Sequence, residues 1–279
     1  MATLLSRGRL LPVSGILMTL ALLASLALAA CGGAPEEETA AAPAATPEPP
    51  PAEPQGLDPA ILDDPSRPEA EVAQDADRHP LEVYAFFGVE PGMTVADVYN
   101  ADGYNTHLLS RAVGDAGRVY SVFEFYTDRE AFGGALYKVD IVTQRLQDAG
   151  LDNVELANRL ADVPAGSVDV AIAVRNYHDV EHVFPALTRA EQTAEFFRIV
   201  KPGGIVGIVE VATPHEGWHG DTHRLNEQMV IDDFTAAGFE LVEETDLLAN
   251  PADDHTADGF AEGRHTMDRY VLKFRKPGS

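Results

Sequence analysis

From residue 80 onward the apolar positions alternate between two periods, one near 3.6 residues and one of short continuous runs. Pro80–Phe87 turns Leu81, Val83, Tyr84 and Phe87 to one side and predicts a helix, stopped by Gly88 and by the VEPG stretch at 89–92. Val95, Ala96 and Val98 predict a first strand, and Tyr104–Val113 a helix closed by Gly114 and Gly117. Arg118–Phe123 follows as a strand and Ala135–Ala149 as a helix with Val139, Val142, Leu146 and Ala149 on one face, with Gly150 just past its end. Asn153–Ala157 predicts a third strand and the unbroken apolar run Val168–Val174 a fourth, buried on both faces. Leu187–Val200 reads as an amphipathic helix ended by Lys201, Pro202, Gly203 and Gly204, and Ile205–Val211 as another doubly buried strand. Asn226–Ala237 is the last helix, before strands at 239–245 and 269–274. Strands alternating with helices imply an α/β fold, a mainly parallel sheet with helices on both faces. Ending on two consecutive strands predicts an antiparallel edge hairpin. The polar, proline-punctuated stretch 58–79 reads as a surface arm.

The first thirty residues follow a different logic. Arg7 and Arg9 precede an apolar run over about 16–27 with no acidic residue, which is the pattern of a secretory signal and too short for a membrane span. The run ends in Leu28, Ala29, Ala30 and Cys31, which resembles a bacterial lipobox, in which the cysteine is lipidated before cleavage. On this reading residues 1–30 are a signal peptide and Cys31 a lipid anchor to the periplasmic face of the cell envelope; the alternative is an ordinary secretory cleavage site and an incidental thiol. The segment 31–56, rich in Ala, Pro and Glu, has too little apolar surface to build a core and reads as a disordered tether. Residues 57–279 then form one domain of ordinary size. Cys31 is the only cysteine, which excludes an internal disulfide and a multi-cysteine zinc site.

The formal net charge of -25, from 45 acidic and 20 basic residues, argues against a basic face for nucleic acid or anionic lipid. It fits a solvated acidic surface on an exported protein. The sequence does not fix an oligomeric state.

The stretch TVADVYNADGYNT at 94–106 places a strand, a tight turn and a helix where open α/β sheets hold nucleotide-type ligands. With it stand AVRNYHD at 173–179, VKPGG at 200–204, THRLNE at 222–227, LLANPADDHT at 247–256 and DRYVLKFRKP at 268–277. Together they resemble class I S-adenosylmethionine-dependent methyltransferases, and more closely an exported bacterial group of predicted methyltransferases, over roughly residues 78–277. The resemblance implies a Rossmann-like three-layer sandwich: a mostly parallel seven-stranded sheet with an antiparallel edge strand. It implies S-adenosylmethionine as cofactor, a small-molecule acceptor as substrate, and methyl transfer as the reaction.

Carried onto this chain, the acidic residue ending the first strand is Asp97, and the loop around the methionine part of the cofactor includes Ala101 and Gly103. Tyr99 and Ala101 stand where glycine is common, and a side chain as large as Tyr99 would narrow the pocket. Glu124 lies at the distance beyond the loop at which a carboxylate accepts hydrogen bonds from both ribose hydroxyls. Asp162 lies near the region where the family often has an acid beside adenine. Asn176 is expected to face the cofactor, His178 to take a proton from the acceptor, and Arg175 to hold an anionic group. His223 and Arg224 are expected to line the substrate mouth with Asp253, Asp254 and His255. HEGWH at 215–219 has the letters of a zinc-protease motif, but Pro214, Gly217 and Gly220 make it a loop, so no metal site is expected there. A non-catalytic binding module that keeps the sheet is the competing reading, and a metal-assisted hydrolase built on the histidines, His265 included, a third.

Overall fold

The computed structural model describes residues 56–124, 138–182, 187–259 and 266–278, all within the unit Pro51–Ser279. The signal peptide, Cys31, the tether up to residue 55, the expected helix start at Ala135 and His265 lie outside the described residues. Among the described residues no helix is long and apolar enough to cross a membrane.

Two four-residue helices, α1 (Glu69–Val72) and α2 (Asp75–Arg78), lead into α3 (Pro80–Phe87), where Pro80 presets the first helical φ and Gly88, at φ 78°, ends the helix. Then come β1 (Thr94–Val98), α4 (Tyr104–Val113), β2 (Arg118–Val122), α5 (Lys138–Ala149), β3 (Val154–Ala157) and β4 (Val168–Val174). After them follow α6 (Arg189–Ile199), β5 (Val200–Val211), a two-residue ribbon of β6 (Trp218–His219) and β7 (Arg224–Leu225), α7 (Glu227–Ala236), β8 (Glu240–Thr245) and β9 (Arg269–Arg275).

Seven strands form one sheet in the order β3-β2-β1-β4-β5-β9-β8. The pairs β1–β2, β1–β4, β2–β3 and β4–β5 are parallel, while β9 runs antiparallel to both β5 and β8. The expected Rossmann-like sheet and its antiparallel hairpin are therefore present, with β9 inside and β8 at the rim. Strand side chains alternate between two apolar layers. Val95, Val170, Ile172 and Val209 pack with α3 and α4, whereas Ala96, Val98, Ala171, Ala173 and Ile208 pack with α6, α7 and Val142 of α5. A Cβ on Gly207 of β5 would stand 2.5 Å from the Phe87 ring, so only glycine lets α3 seat that close to the sheet.

Two expectations change. The turn at 201–204 ends α6 as expected but also interrupts a strand: Val168 pairs with Val200 and Val170 with Ile205, so these four residues loop out of an edge that β5 otherwise continues. The stretch 58–79 is not a loose arm. Arg67 is buried and forms a bidentate pair with Asp75 at 2.6 and 2.7 Å, and Asp75 also accepts from the Tyr104 hydroxyl at 2.6 Å.

Candidate functional site

Parallel strands bring their C-terminal ends to one edge of the sheet, where side chains can converge on a ligand. β1 delivers Asp97 there. Its carboxylate is buried; Oδ2 accepts from the Thr106 hydroxyl at 2.6 Å, and that hydroxyl lies 3.0 Å from Ser121 Oγ. Burial, with a smaller push from Asp102 and against the Thr106 hydrogen bond, raises the Asp97 carboxyl to about 7. The turn that follows is held by Asn100, whose Nδ2 donates to Ser121 Oγ at 2.5 Å and whose Oδ1 accepts from the Gly103 amide at 2.8 Å. Gly103 takes φ 89°, and a Cβ there would press on Val142 and Arg145 of α5 at 3.3 and 3.2 Å. Ala101 is half-buried beside it and packs on the apolar layer.

Tyr99 holds the left-handed φ of 60° that a glycine would supply in its place. Its ring turns into the core, edge-on to Phe196 with centroids 6.0 Å apart, and its hydroxyl reaches Gln192 Oε1 at 3.0 Å. Gln192 Nε2 in turn donates to Glu124 Oε1 at 3.3 Å, while Glu124 Oε2 accepts from the Leu160 amide at 2.6 Å. A chain Tyr99–Gln192–Glu124 thus crosses from the glycine-poor loop through α6 to the end of β2. Burial pushes the Glu124 carboxyl above its ordinary range despite these bonds. Asp162 is a local cap, accepting from the Arg159 amide at 3.0 Å.

At the end of β4, Arg175 donates from Nη2 to the Gly259 carbonyl at 3.0 Å, and Asn176 Nδ2 donates to the Tyr99 carbonyl at 3.0 Å, which fastens the β4 loop to the β1 loop. Tyr177–Asp179 then forms a single 3₁₀ turn. Glu210, fully buried in β5, organises it: Oε1 accepts from the amides of Tyr177 and His178 at 2.7 and 3.2 Å, and Oε2 lies 2.7 Å from His178 Nδ1. A carboxylate at that distance puts the proton on Nδ1 and leaves Nε2 as the working nitrogen, 3.5 Å from Asp179 Oδ1. Burial alone would lower the His178 pKa; the charge and hydrogen bond of Glu210, joined by Asp179, reverse this and raise it. The imidazole stacks on Trp218 at 5.3 Å with planes 10° apart, Trp218 stacks on His182 at 5.3 Å, and His223 stands edge-on to both His178 and Trp218.

Backbone strain marks the same edge. Of the seven described non-glycine residues at positive φ, four lie here, at φ between 48° and 60°: Tyr99 and Arg175 directly beyond β1 and β4, Glu124 two residues beyond β2, and His223 beside His178. Each such conformation costs about 1–3 kcal/mol and persists where surrounding structure enforces it, commonly at functional sites.

The structure brings together Asp97, Gly103, Glu124, Asn176, Arg175, His178 and His223. It does not bring Arg224 to the mouth. That side chain is fully buried, donates to Asp253 at 2.9 and 3.1 Å and to the carbonyls of Ala212 and Ala257, and has no donor left for a substrate. It clamps the tail, as does His255 Nε2 on Asp268 at 3.0 Å. His215 and His219 lie in a loop with rings 5.5 Å apart, and among the described residues no group of three His, Cys, Asp or Glu could hold a metal. Sequence reasoning missed Glu210 and Gln192. The signal for Glu210 was there: an acid inside the apolar run IVGIVEV. A cleft of about 750 Å3 lined by Ser110, Arg118 and Glu155 lies at the opposite edge of the sheet, away from all this chemistry.

No protein-family model and no curated protein matches the sequence. Solved structures do match. A SAM-dependent methyltransferase from Aquifex aeolicus has a TM-score of 0.54 at 19% identity over 79% of this chain and 99% of that one. The fold is that of class I S-adenosylmethionine-dependent methyltransferases. Within this methyltransferase fold the chain is also similar to geranyl diphosphate C-methyltransferase from Streptomyces coelicolor A3(2), solved with Mg2+, geranyl diphosphate and S-adenosyl-L-homocysteine (TM-score 0.51, 14% identity, 79% of this chain and 88% of that one). It is similar as well to the [4+2]-cyclase SpnF (0.53, 21%, 74% and 82%), so proteins named for different reactions share this fold.

Proposed function

We propose that this protein binds S-adenosylmethionine at the C-terminal edge of the sheet and transfers its methyl group to a small acceptor. The observation that carries the reading is the placement of two buried carboxylates, Asp97 and Glu124, at the C-terminal ends of the adjacent parallel strands β1 and β2, with Glu124 in left-handed backbone at φ 48°. Such a pair matches a ligand with positive charge, and Asp97, whose Oδ2 accepts from the Thr106 hydroxyl, suits a cationic group. When bound, the cofactor supplies an electrophilic methyl on a sulfonium that leaves without help from an acid. Asp97 and the Ala101–Gly103 turn would hold its methionine part, Glu124 would accept from the ribose hydroxyls, and Asn176 would fix the loop that faces it. His178, with Nδ1 committed to Glu210, would take the acceptor's proton on Nε2, and His223 would border the acceptor. The protein is further proposed to be exported and anchored through Cys31, with residues 1–30 removed and 31–56 as tether.

A second reading, a ligand-binding module without catalysis, draws support from the Tyr99–Gln192–Glu124 chain, which occupies Glu124 from within the protein. Calorimetric titration of the full chain with S-adenosylmethionine and S-adenosylhomocysteine tests the proposal. Binding of both is expected, with Glu124→Ala weakening it about tenfold or more, the worth of a hydrogen bond to a charged group. No binding at millimolar cofactor would refute the proposal, and binding without methyl transfer to any acceptor would favour the module.

A further inference from the structure

We propose that Arg78, Arg175 and Arg269 form a carboxylate-binding subsite beside the methyltransferase-like site. Eight of the described arginines stand within 4 Å of an acidic side chain, as a chain of net charge -25 makes easy. Among the described residues Arg78 and Arg269 form no such pair, and they converge with Arg175 on one cavity of about 20 Å3. Its wall is completed by Tyr84, Tyr104 and Asn105 and by apolar Val174 and Val209.

The charges of Asp77 and Asp268 act on Arg269 without forming an ion pair with it, and two acids beside the cavity hold other partners. Asp75 takes Arg67 and the Tyr104 hydroxyl, and Asp268 takes the Asn250 amide and His255. Arg269 is 6% exposed and donates only to the carbonyls of Met267 and Asp77, at 3.1 and 2.7 Å. Carbonyl dipoles do not neutralise a buried guanidinium; burial and the neighbouring Arg78 push its pKa down to about 10. Arg78 lies with its guanidinium carbon 4.1 Å from the centroid of the Tyr104 ring, and its Nε is buried without a hydrogen-bond partner. The two planar forks of Arg78 and Arg269 are set for an anion, and Arg175, held on the Gly259 carbonyl, borders the same space and adds its charge. The space of about 20 Å3 is roughly one water's worth and admits a single oxygen of the anion, and a flat carboxylate matches the planar guanidiniums around it. The carboxylate could belong to the acceptor or to the amino-acid part of the cofactor, and only that choice rests on the methyltransferase reading.

Thermal unfolding of the full chain in sodium acetate and in sodium chloride at equal ionic strength tests the subsite without any cofactor. Acetate at ten times its dissociation constant should raise the melting temperature by about 3–5 °C over chloride. Arg78→Gln, at a half-exposed position, and Arg269→Lys should each abolish the difference. Equal melting temperatures in the two salts, or an acetate effect that survives both substitutions, would overturn the proposal. Titration with S-adenosylhomocysteine and with 5′-methylthioadenosine, which lacks the carboxylate, then identifies the source. If Arg78→Gln weakens the first about tenfold and spares the second, the cofactor's carboxylate sits there; if it spares both while the acetate effect is lost, the acceptor's does.

Discussion

Glu210 is the residue on which the β4 loop turns. It is wholly buried and accepts from two amides and an imidazole, so its charge is balanced only by groups that the fold brings to it. The charged groups that reach His178 are Glu210 and Asp179, which raise its pKa, and Arg175, which opposes them. A histidine whose pKa is raised by folding stabilises the native state below its unfolded value of 6.5, and this contribution fades as pH climbs through the higher folded value. Glu210→Gln keeps the shape and removes the charge, so burial should then dominate. By NMR titration His178 is expected to titrate above 6.5 in the wild type and below it in the variant; an unmoved titration would remove Glu210 from the role of positioning residue. At this scale the sequence was half legible. Asp97, Glu124 and RNYHD stand out because polar residues follow apolar runs, whereas Arg224 looked equally polar and is buried. Nothing local distinguishes a guanidinium facing solvent from one clamped by Asp253, 29 residues further along the chain.

Among elements, β4 and the 205–211 part of β5 were readable because strands buried on both faces need unbroken apolar runs, and α3 and α4 because glycine ends them within a residue of the expected place. The stretch 58–79 was not, since its contacts are long-range ion pairs that carry no periodicity. Asp64 accepts from Arg111 Nε at 2.6 Å and faces His107 Nε2 at 3.0 Å, and Arg67 closes on Asp75, so charged side chains fasten the arm to α4. Burial acts to raise the Asp64 pKa, but hydrogen bonds from Ser66, His107 and Arg111 outweigh it and hold the carboxyl far below 3.8. A carboxylate depressed in this way stabilises above 3.8, and that contribution is lost as pH falls through the folded value. Removing Arg67 leaves Asp75 partly uncompensated against Tyr104, and breaking such a buried pair costs about 3–5 kcal/mol. Denaturant unfolding of Arg67→Ala should show that loss; a change under about 1 kcal/mol would mean that the arm contributes little to the fold.

For the whole molecule, the proposed export through residues 1–30 would carry the protein away from the cytosol, where the proposed cofactor is made. The anchor decides how that tension is posed. Several acyl chains on Cys31 would hold the protein at a membrane nearly permanently, whereas one chain alone gives only reversible attachment. The net charge of -25 offers no electrostatic help at an anionic surface, since a bilayer of the same sign repels it. On the proposed anchoring, membrane retention would come from the lipid alone, and high salt should not release the protein. Cys31→Ala is expected to move it from the membrane fraction to the soluble fraction, read by fractionation and immunoblot with and without 1 M salt, a concentration at which exposed charges are screened within about 3 Å. If the variant stays wholly membrane-bound, the lipid anchor is wrong and an uncleaved leader is holding it; if the wild type is released by salt, the attachment is electrostatic and the tether serves another purpose.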